Sequence, residues 1–507
     1  MPSATAKRPT EYGFAFTGLP PIPGRCPGVD THGRIHALPQ LKLTASRADI
    51  LAYFNNTWTL TEVVFSGLAN EEAYYRRPYH QLRHPMIFYY GHPVSLYVNK
   101  LRVAGLLDGP VNAEMEKLFE TGVDEMRWDD LHEGADHIWP SVAEVRAYRQ
   151  QVYDIIVRLI ETHPALDDAR RPITIDDPMW ALVMGFEHER IHLETSSVLI
   201  RELPLEYVRV PEAWPALVLE KTSRPTPHNP FIARAETTVE IGKPRDFPSF
   251  GWDNEYGHES RRVRSFSASQ NLISNGEFLA FVKAGGYANE AYWSREGLGW
   301  RRFRNVKHPS FWLPTGPAGL HDYQLRTVFE VVPMPSDWPA IVNFHEAKAY
   351  AAWASARDAA TMPYRLITEA EHHAMRDGSE VADAVPGNLH FTHGSETSVT
   401  HYPANAHGFH DVFGNAWQWC EDHFHPLAGG TPHPYYDDFS APCYDGEHQM
   451  ILGGSFASTG DEASRFARFH FRPHFSQHAS FRLARSDDGN PASDAKRLNI
   501  TSFIFKS

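Results

Sequence analysis

The fold of this chain is constrained most by one long stretch with helical periodicity, which carries two histidines four residues apart. The stretch follows Asp176-Asp177-Pro178, a sequence suited to a helix start, and its apolar residues recur every three or four positions until Pro204. We therefore predict a helix that contains His188 and His192. Residues four apart on a helix differ by about 40° around its axis, so both imidazoles point the same way and can bind one metal ion.

Histidine spacing alone is weak evidence in a chain this rich in histidine. The 507 residues include 29 histidines, and five His-x-x-x-His pairs occur among them. Only His188 and His192 lie on an unambiguous helix among apolar neighbours, where neutral imidazole is a good ligand and an unpartnered polar ring is costly. Glu194 lies about 200° from His192 around the axis, so we expect it to support the site from outside the ligand sphere or to form a salt bridge.

Length and composition indicate a chain of two globular domains that acts on small molecules. The chain is too long for one ordinary core, and its apolar and aromatic content is ample for two. A formal net charge of −14 without a basic block disfavours nucleic acid and anionic membranes as partners. Three cysteines suggest a reducing compartment, and no run resembles a signal peptide or a membrane span, so we expect a cytoplasmic protein.

The first half of the chain predicts a bundle of four long helices. Residues 1–43 are proline-punctuated and predict an extended arm. Four helices are indicated, two by capping patterns at Ser46 and Ser141, one by a run from 84 to 106 and one by the histidine stretch. Shorter helical segments are expected near 112–133. Helical bundles commonly build metal sites from inward-facing side chains. We place this domain at 44–204.

The second half has a different texture, which predicts a loop-rich domain. A proline-rich linker at 205–234 leads into a region rich in glycine, proline and aromatic residues, which we place at 235–490, with a tail at 491–507. Only two helices are convincing there, one after Ser274 and one from His345 to Trp353. Such chains usually carry binding groups on their loops. Together the two halves predict an α+β protein of two domains.

Read literally, His188-Glu189-Arg190-Ile191-His192 is the zinc-protease signature, with Glu189 as general base. The third ligand of one protease class would fall at Glu212, but that residue lies between two prolines with no helix to hold it. The region before the motif is also all helical, without the sheet edge that such proteases use. A zinc metalloprotease is therefore a remote alternative.

We expect the third metal ligand to come from another helix of the bundle. His92, in the run Tyr89-Tyr90-Gly91-His92, is the only upstream histidine in the middle of such a helix, and His84 is the next candidate. Three neutral imidazoles with open positions suit zinc and ferrous iron equally well. The residues alone leave the metal undecided.

Several longer motifs resemble one family. Three runs in the first half resemble the sulfoxide synthases of ovothiol biosynthesis: Leu82 to His92, Gly122 to Leu131 and Glu187 to Ser197. The second half is similar to formylglycine-generating-enzyme domains, on the runs Phe250 to Glu255, Arg365 to Glu371, Gly414 to Trp419 and Gly453 to Phe456. The resemblance extends from about residue 46 to 486.

The resemblance implies a DinB-type four-helix bundle joined to a C-type-lectin-like catalytic domain of the formylglycine-generating-enzyme type, with non-haem Fe(2+) held by His92, His188 and His192. It implies an oxidoreductase that uses O2 to couple L-cysteine to L-histidine, giving 5-histidylcysteine sulfoxide. Family members place a tyrosine of the second domain beside the iron, which we match to Tyr436, with Tyr435 as the fallback.

Two departures from related patterns lead to further expectations. Many ovothiol synthases continue into a methyltransferase domain, but only 21 residues follow Ser486 here, so we expect any methylation to come from a separate enzyme. Formylglycine-generating enzymes use a pair of cysteines, but Cys420 and Cys443 stand 23 residues apart in different loops. Copper-thiol chemistry is not expected there.

Substrate carboxylates need cationic anchors, and Arg465, Arg468 and Arg472 stand on loops of the second domain. The nearest functional alternative is an ergothioneine-type sulfoxide synthase, which joins hercynine, the trimethylated histidine, to cysteine or gamma-glutamylcysteine. Substrate choice distinguishes the two, because the ergothioneine branch should demand the quaternary ammonium. A metal-sensing or sugar-binding lectin-like module would show no oxygen uptake with any thiol.

Overall fold

The structure is a computed structural model that describes residues 13–77, 83–120, 138–167, 172–219, 225–378, 387–486 and 496. In these ranges a helical first half is followed by a second half of short strands, loops and helices. The change in composition between the two halves of the sequence therefore corresponds to a change from helices to short strands and loops. The exact limits that we assign to arm, domains, linker and tail stay predictions.

The first half is built from helices, which are α1 (Arg47–Ser66), α2 (Glu72–Tyr75), α3 (Met86–Val103), α4 (Ala113–Leu118), α5 (Val142–Thr162) and α6 (Trp180–Glu202). The four long helices α1, α3, α5 and α6 pack on one another as a bundle, as predicted. Within the described ranges no helix combines the length and the apolar character that crossing a membrane requires.

Local sequence explains where these helices begin and end. Ser46 and Asp49 form a capping box at the start of α1, and Ser141 and Glu144 form another at the start of α5. Helix α3 continues through Pro93, which has no backbone N–H to donate one turn back. Helix α6 begins at Trp180, slightly later than the aspartates suggested, and ends two residues before Pro204.

The second half contains twelve short strands in its described part: β1 (Phe231–Arg234), β2 (Thr237–Ile241), β3 (Glu259–Val263), β4 (Phe266–Ser269), β5 (Trp312–Pro314), β6 (Tyr323–Arg326), β7 (Val331–Pro333), β8 (Trp417–His423), β9 (Gln449–Leu452), β10 (Phe469–Phe471), β11 (Ala479–Ser480) and β12 (Ala484–Ser486). They form four small sheets, of order β1-β4-β12, β10-β9-β8-β11, β2-β3 and β5-β6-β7. All pairs are antiparallel except β11 with β8.

Four helices accompany the strands: α7 (Asn275–Lys283), α8 (Arg295–Arg304), α9 (Phe344–Arg357) and α10 (Glu369–Met375). The sequence predicted α7 and α9, and the expectation of only two helices was wrong. Helices α8 and α10 are short, and α8 carries four arginines and few apolar residues, so neither offers a long apolar pattern. Each is instead started by a cap, Ser294 for α8 and Thr368 for α10.

Helix α6 lies at the junction of the two halves. One side packs in the bundle, against α1 and α3. From the other side the buried Arg201 donates to Glu396 at 2.6 Å, and the buried Arg190 donates to Thr459 at 2.5 Å. Side chains of both halves also share one apolar cluster, which includes Phe88 and Phe456. The histidine-bearing helix is therefore packed against the second half of the chain.

Candidate metal centre

His92, His188 and His192 come together in the structure as a compact cluster of imidazoles. One ring nitrogen from each lies within 4.8 Å of the other two. The ring centroids are 5.0 Å apart for His92 and His188, 4.6 Å for His92 and His192, and 4.4 Å for His188 and His192. All three side chains are buried, with relative exposures of 5%, 2% and 6%. The Nε2 atoms of His188 and His192 are 3.2 Å apart.

Helices α3 and α6 hold these rings, and Gly91 allows Phe119 to approach and orient the His92 ring. His92 lies in the middle of α3, and its Nδ1 is 2.5 Å from the backbone carbonyl of Phe119. Donation of Nδ1–H to that carbonyl leaves Nε2 as the ligand atom. The approach of Phe119 depends on Gly91, because a Cβ there would meet the Phe119 ring at 2.5 Å.

The electrostatics favour the neutral forms of His188 and His192. The pKa of His188 is held well below its usual value, first by burial and then by the imidazoles of His192 and His92 and the charge of Lys100. Burial, His92 and Arg83 do the same for the pKa of His192. Within the described residues, Nδ1 of His188 and Nδ1 of His192 are buried without a hydrogen-bond partner. Three imidazole nitrogens in a buried site fit a divalent transition metal such as iron(II) or zinc.

The carboxylates beside the histidines on α6 are engaged elsewhere. Glu189 is fully buried and accepts hydrogen bonds from Thr61 at 2.8 Å and from Tyr97 at 2.9 Å. Both partners belong to the bundle, so Glu189 is held by hydroxyl groups of α1 and α3. A zinc protease needs this residue beside a metal-bound water, and the geometry does not support that role.

Glu194 joins the two halves of the chain. It accepts hydrogen bonds from the Trp417 indole at 2.7 Å, from Ser455 at 2.9 Å and from Ser458 at 2.7 Å. Burial raises its pKa to about 7. The expectation that Glu194 lies outside the ligand sphere agrees with this geometry, but its partners are neutral groups of the second half and not a salt bridge.

A tyrosine of the second half lies beside the histidine cluster. The Tyr436 ring centroid is 6.1 Å from that of His188, and the ammonium of Lys100 lies 3.7 Å from the Tyr436 centroid. Tyr435 instead contacts His433, with ring centroids 5.0 Å apart, and lies near the aspartates that precede α6. Of the two candidate tyrosines, Tyr436 is the one brought to the cluster.

Two cations near the cluster escaped the sequence analysis. Lys100 lies two turns after His92 on α3, and Arg83 lies just before the same helix. The Arg83 guanidinium is 4.6 Å from the Phe475 ring centroid and 5.8 Å from that of Phe471. A signal was available, because Lys100 shares a helix with the chosen ligand and Arg83 stands in the motif that ends at His92.

The other candidate residues lie in different surroundings. Arg468 is 3% exposed, and its guanidinium donates to Glu369 at 2.7 Å. Arg472 donates to Glu447 at 3.0 Å, and the Arg465 guanidinium lies 4.8 Å from the Phe466 ring centroid. Their contact with a substrate stays a prediction.

His84, the second choice for the third ligand, is not in the cluster. Its ring packs against Phe88 and Trp139, with centroid distances of 4.4 Å and 5.8 Å.

Comparison with known proteins places the two halves in two families. Residues 53–196 match the DinB superfamily, and residues 225–487 match the sulfatase-modifying factor enzyme 1-like domain. The predicted fold class, an N-terminal DinB-type bundle and a C-terminal domain of the formylglycine-generating type, is confirmed.

Individual relatives resemble long parts of the chain. It is 28% identical over 304 residues to a hercynine oxygenase of Mycolicibacterium smegmatis, covering 56% of this chain and 66% of that protein. It is 23% identical over 417 residues to ergothioneine biosynthesis protein 1 of Schizosaccharomyces pombe, covering 74% of this chain and 48% of that protein. Among solved structures, PvdO from Pseudomonas aeruginosa aligns with a TM-score of 0.34 and 19% identity, covering 50% of this chain and 94% of that one.

The chain thus spans between about half and two thirds of these curated relatives, 48% of one and 66% of the other. The match to residues 225–487 covers more than half of the 507 residues. The chain therefore belongs to the family of the sulfatase-modifying factor enzyme 1-like domain, here preceded by a DinB-superfamily helical bundle.

Proposed function

We propose that this protein is a non-haem iron(II) sulfoxide synthase that couples L-cysteine to L-histidine with O2. The observation that carries the proposal is the buried cluster of His92, His188 and His192 with Tyr436 of the other half beside it. The reaction balances without an external reductant. Cysteine loses its thiol hydrogen, histidine loses a ring hydrogen, one oxygen atom enters the sulfoxide and the other leaves as water.

The three histidines are the residues that would hold the iron. Iron(II) bound there supplies the redox chemistry with O2 that forms the carbon–sulfur and sulfur–oxygen bonds. Burial favours the neutral forms of His188 and His192, and the carbonyl of Phe119 fixes the His92 tautomer. Three protein ligands leave positions open for substrates.

Arg83 and Lys100 are the residues that we assign to the substrate carboxylates. Both cations lie close enough to the cluster to lower the pKa of its histidines. An amino-acid substrate brought to the site presents a carboxylate, and a guanidinium or ammonium in a largely dry space binds it strongly. The Tyr436 phenol is suited to hold or donate a proton at the reacting sulfur.

Plain histidine, and not its trimethylated form, is the substrate that we favour. A quaternary ammonium cannot donate a hydrogen bond and is usually bound over open aromatic faces. At this site Lys100 lies over the Tyr436 ring and Arg83 lies over the Phe475 ring, so two aromatic faces already carry cations. A primary ammonium can use hydrogen-bond acceptors instead.

Hercynine is the second candidate substrate, because two relatives are named hercynine oxygenase and ergothioneine biosynthesis protein 1. The deciding experiment measures oxygen consumption by the iron-loaded protein with cysteine plus either histidine or hercynine, followed by mass analysis of the product. We expect uptake with histidine and a product of the mass of histidylcysteine sulfoxide. Coupling only with hercynine would shift the assignment to the ergothioneine branch, and stoichiometric zinc with peptide cleavage would end the proposal.

A further inference from the structure

A second group of metal-ligating side chains lies in the other half of the chain, on elements unrelated to the histidine cluster. It consists of Cys443, His448 and His470, and one ligand atom from each lies within 4.8 Å of the other two. Cys443 ends a single helical turn at Ala441–Cys443, His448 directly precedes β9, and His470 is the middle residue of β10. Strands β9 and β10 are paired, so the sheet fixes the separation of the two histidines.

A carboxylate orients one of these imidazoles. Nδ1 of His448 is 3.0 Å and 3.1 Å from the two carboxylate oxygens of Asp445. Asp445 is itself held, because it accepts from the backbone N–H groups of Glu447 and His448. With Nδ1–H donated to Asp445, the lone pair of His448 is at Nε2. A carboxylate behind an imidazole is the usual support of a histidine that binds a metal.

One ring nitrogen of each histidine is buried without a hydrogen-bond partner. Within the described residues, Nε2 of His448 and Nδ1 of His470 have no hydrogen-bond partner, and His448 is 2% exposed. The His470 ring stacks on Phe424 with centroids 4.1 Å apart, and it meets the His448 ring at 5.0 Å. Buried polar atoms without partners are costly, so the geometry points to something that binds both nitrogens.

We propose that Cys443, His448 and His470 bind a zinc ion. A thiolate with two imidazoles is a donor set that zinc accepts, and a fourth position remains for water. Tetrahedral zinc with bonds of about 2.0–2.3 Å holds its ligand atoms roughly 3.3–3.8 Å apart, so small side-chain rotations close the present gaps. Cys443 and His470 are half-buried, which gives an ion a route from solvent.

The site explains how the tyrosine of the histidine cluster is positioned. Tyr436 lies in the long segment 424–448 between β8 and β9, which also contains Cys443 and ends at His448. Zinc bound to these two residues and to His470 would tie the end of this segment to β10. The ion is therefore a positioning device for the segment and takes no part in the reaction.

Cobalt(II) added to the metal-free, full-length protein, without added thiol, tests the site. A thiolate bound to cobalt(II) gives a charge-transfer absorption in the near ultraviolet that the three-histidine cluster cannot give. We expect the absorption to saturate by two cobalt ions per chain, because the histidine cluster also takes one without giving this absorption. It should fall on adding zinc, disappear in Cys443→Ser and persist in Cys26→Ser. Asp445→Asn should weaken the cobalt affinity about 10–100-fold.

A second readout covers the case in which Cys443→Ser perturbs folding. Zinc added to the native protein, with the histidine cluster already filled by iron, should slow proteolytic cleavage inside 424–448. No thiolate absorption in the parent protein, absorption that survives Cys443→Ser, or cleavage unaffected by zinc would each overturn the proposal. None of these readouts depends on sulfoxide synthase activity, so this site and the proposed function fail separately.

Discussion

The two donor clusters differ in how the chain builds them. His92, His188 and His192 stand in the interior of two long helices, while Cys443 and His448 stand on loop ends beside a short strand. The first cluster offers three imidazole nitrogens, and the second offers two imidazoles, a cysteine sulfur and a supporting carboxylate. Both clusters offer three protein ligands, but the first is held by two packed helices at the junction of the halves, and the second by a short helical turn and two paired strands. The proposals therefore assign catalysis to the all-histidine cluster beside Tyr436 and local fixation of a segment to the cysteine-containing cluster.

Removal of one histidine of the first cluster should have the largest effect and tests whether that cluster holds the iron. His188→Ala should lose stoichiometric iron and reduce oxygen-dependent coupling to the background level, because two nitrogens on different helices hold the ion poorly. Elemental analysis of protein purified without oxygen, together with the coupling assay, measures both. His84→Ala is the matched control, since that ring packs on Phe88 outside the cluster. Iron retained by His188→Ala would refute the assignment.

Tyr436→Phe should have the next largest effect. It keeps the ring that contacts His188 but removes the phenolic proton, and a positioned proton donor typically contributes about 10²–10⁴-fold. We expect the coupled sulfoxide to fall by roughly 100-fold relative to cysteine sulfinic acid, with iron content unchanged. Mass analysis gives the product ratio. Tyr435→Phe is the control, and an equal change in both variants would remove Tyr436 from the mechanism.

Glu194→Ala tests whether the carboxylate after His192 serves the metal or the junction of the halves. The change leaves the Trp417 indole and two serine hydroxyls without their acceptor, which should cost about 3 kcal/mol of stability. Urea denaturation measures the loss, and iron content should remain stoichiometric. Exposed Glu206→Ala should change neither. A loss of iron without a loss of stability would assign Glu194 to the metal site instead.

Lys100→Gln should have the smallest effect. Losing one cation near the cluster should raise the KM of one amino-acid substrate about tenfold and leave kcat nearly unchanged, as expected for a group that binds ground state and transition state alike. Steady-state kinetics with each substrate varied in turn identifies which one. Partly buried Lys348, which pairs with Glu421 in the second half, offers a control as Lys348→Gln. A fall in kcat at unchanged KM would contradict a carboxylate-binding role.

Helices with a strong local code were predictable, and short ones held by tertiary contacts were not. Capping at Ser46 and Ser141 predicted the starts of α1 and α5 to within a residue. Helix α8 is short, rich in arginine and poor in apolar residues, so its apolar pattern was too brief to predict a helix. Its buried Trp300 packs into the large core of the second half, a contact that no local pattern reveals.

The sequence by itself determined the helical half and the shared direction of His188 and His192, because α-helical geometry is a local property. It could name His92 as a candidate on another helix, but the approach of that helix is a tertiary contact. Only the tertiary structure decided which tyrosine meets the cluster, that Arg83 and Lys100 lie near it, and that Glu194 joins the two halves. It alone assembled Cys443, His448 and His470, whose spacing fits no motif. These contacts depend on how distant segments pack, and packing is set by the whole chain and not by any stretch of it.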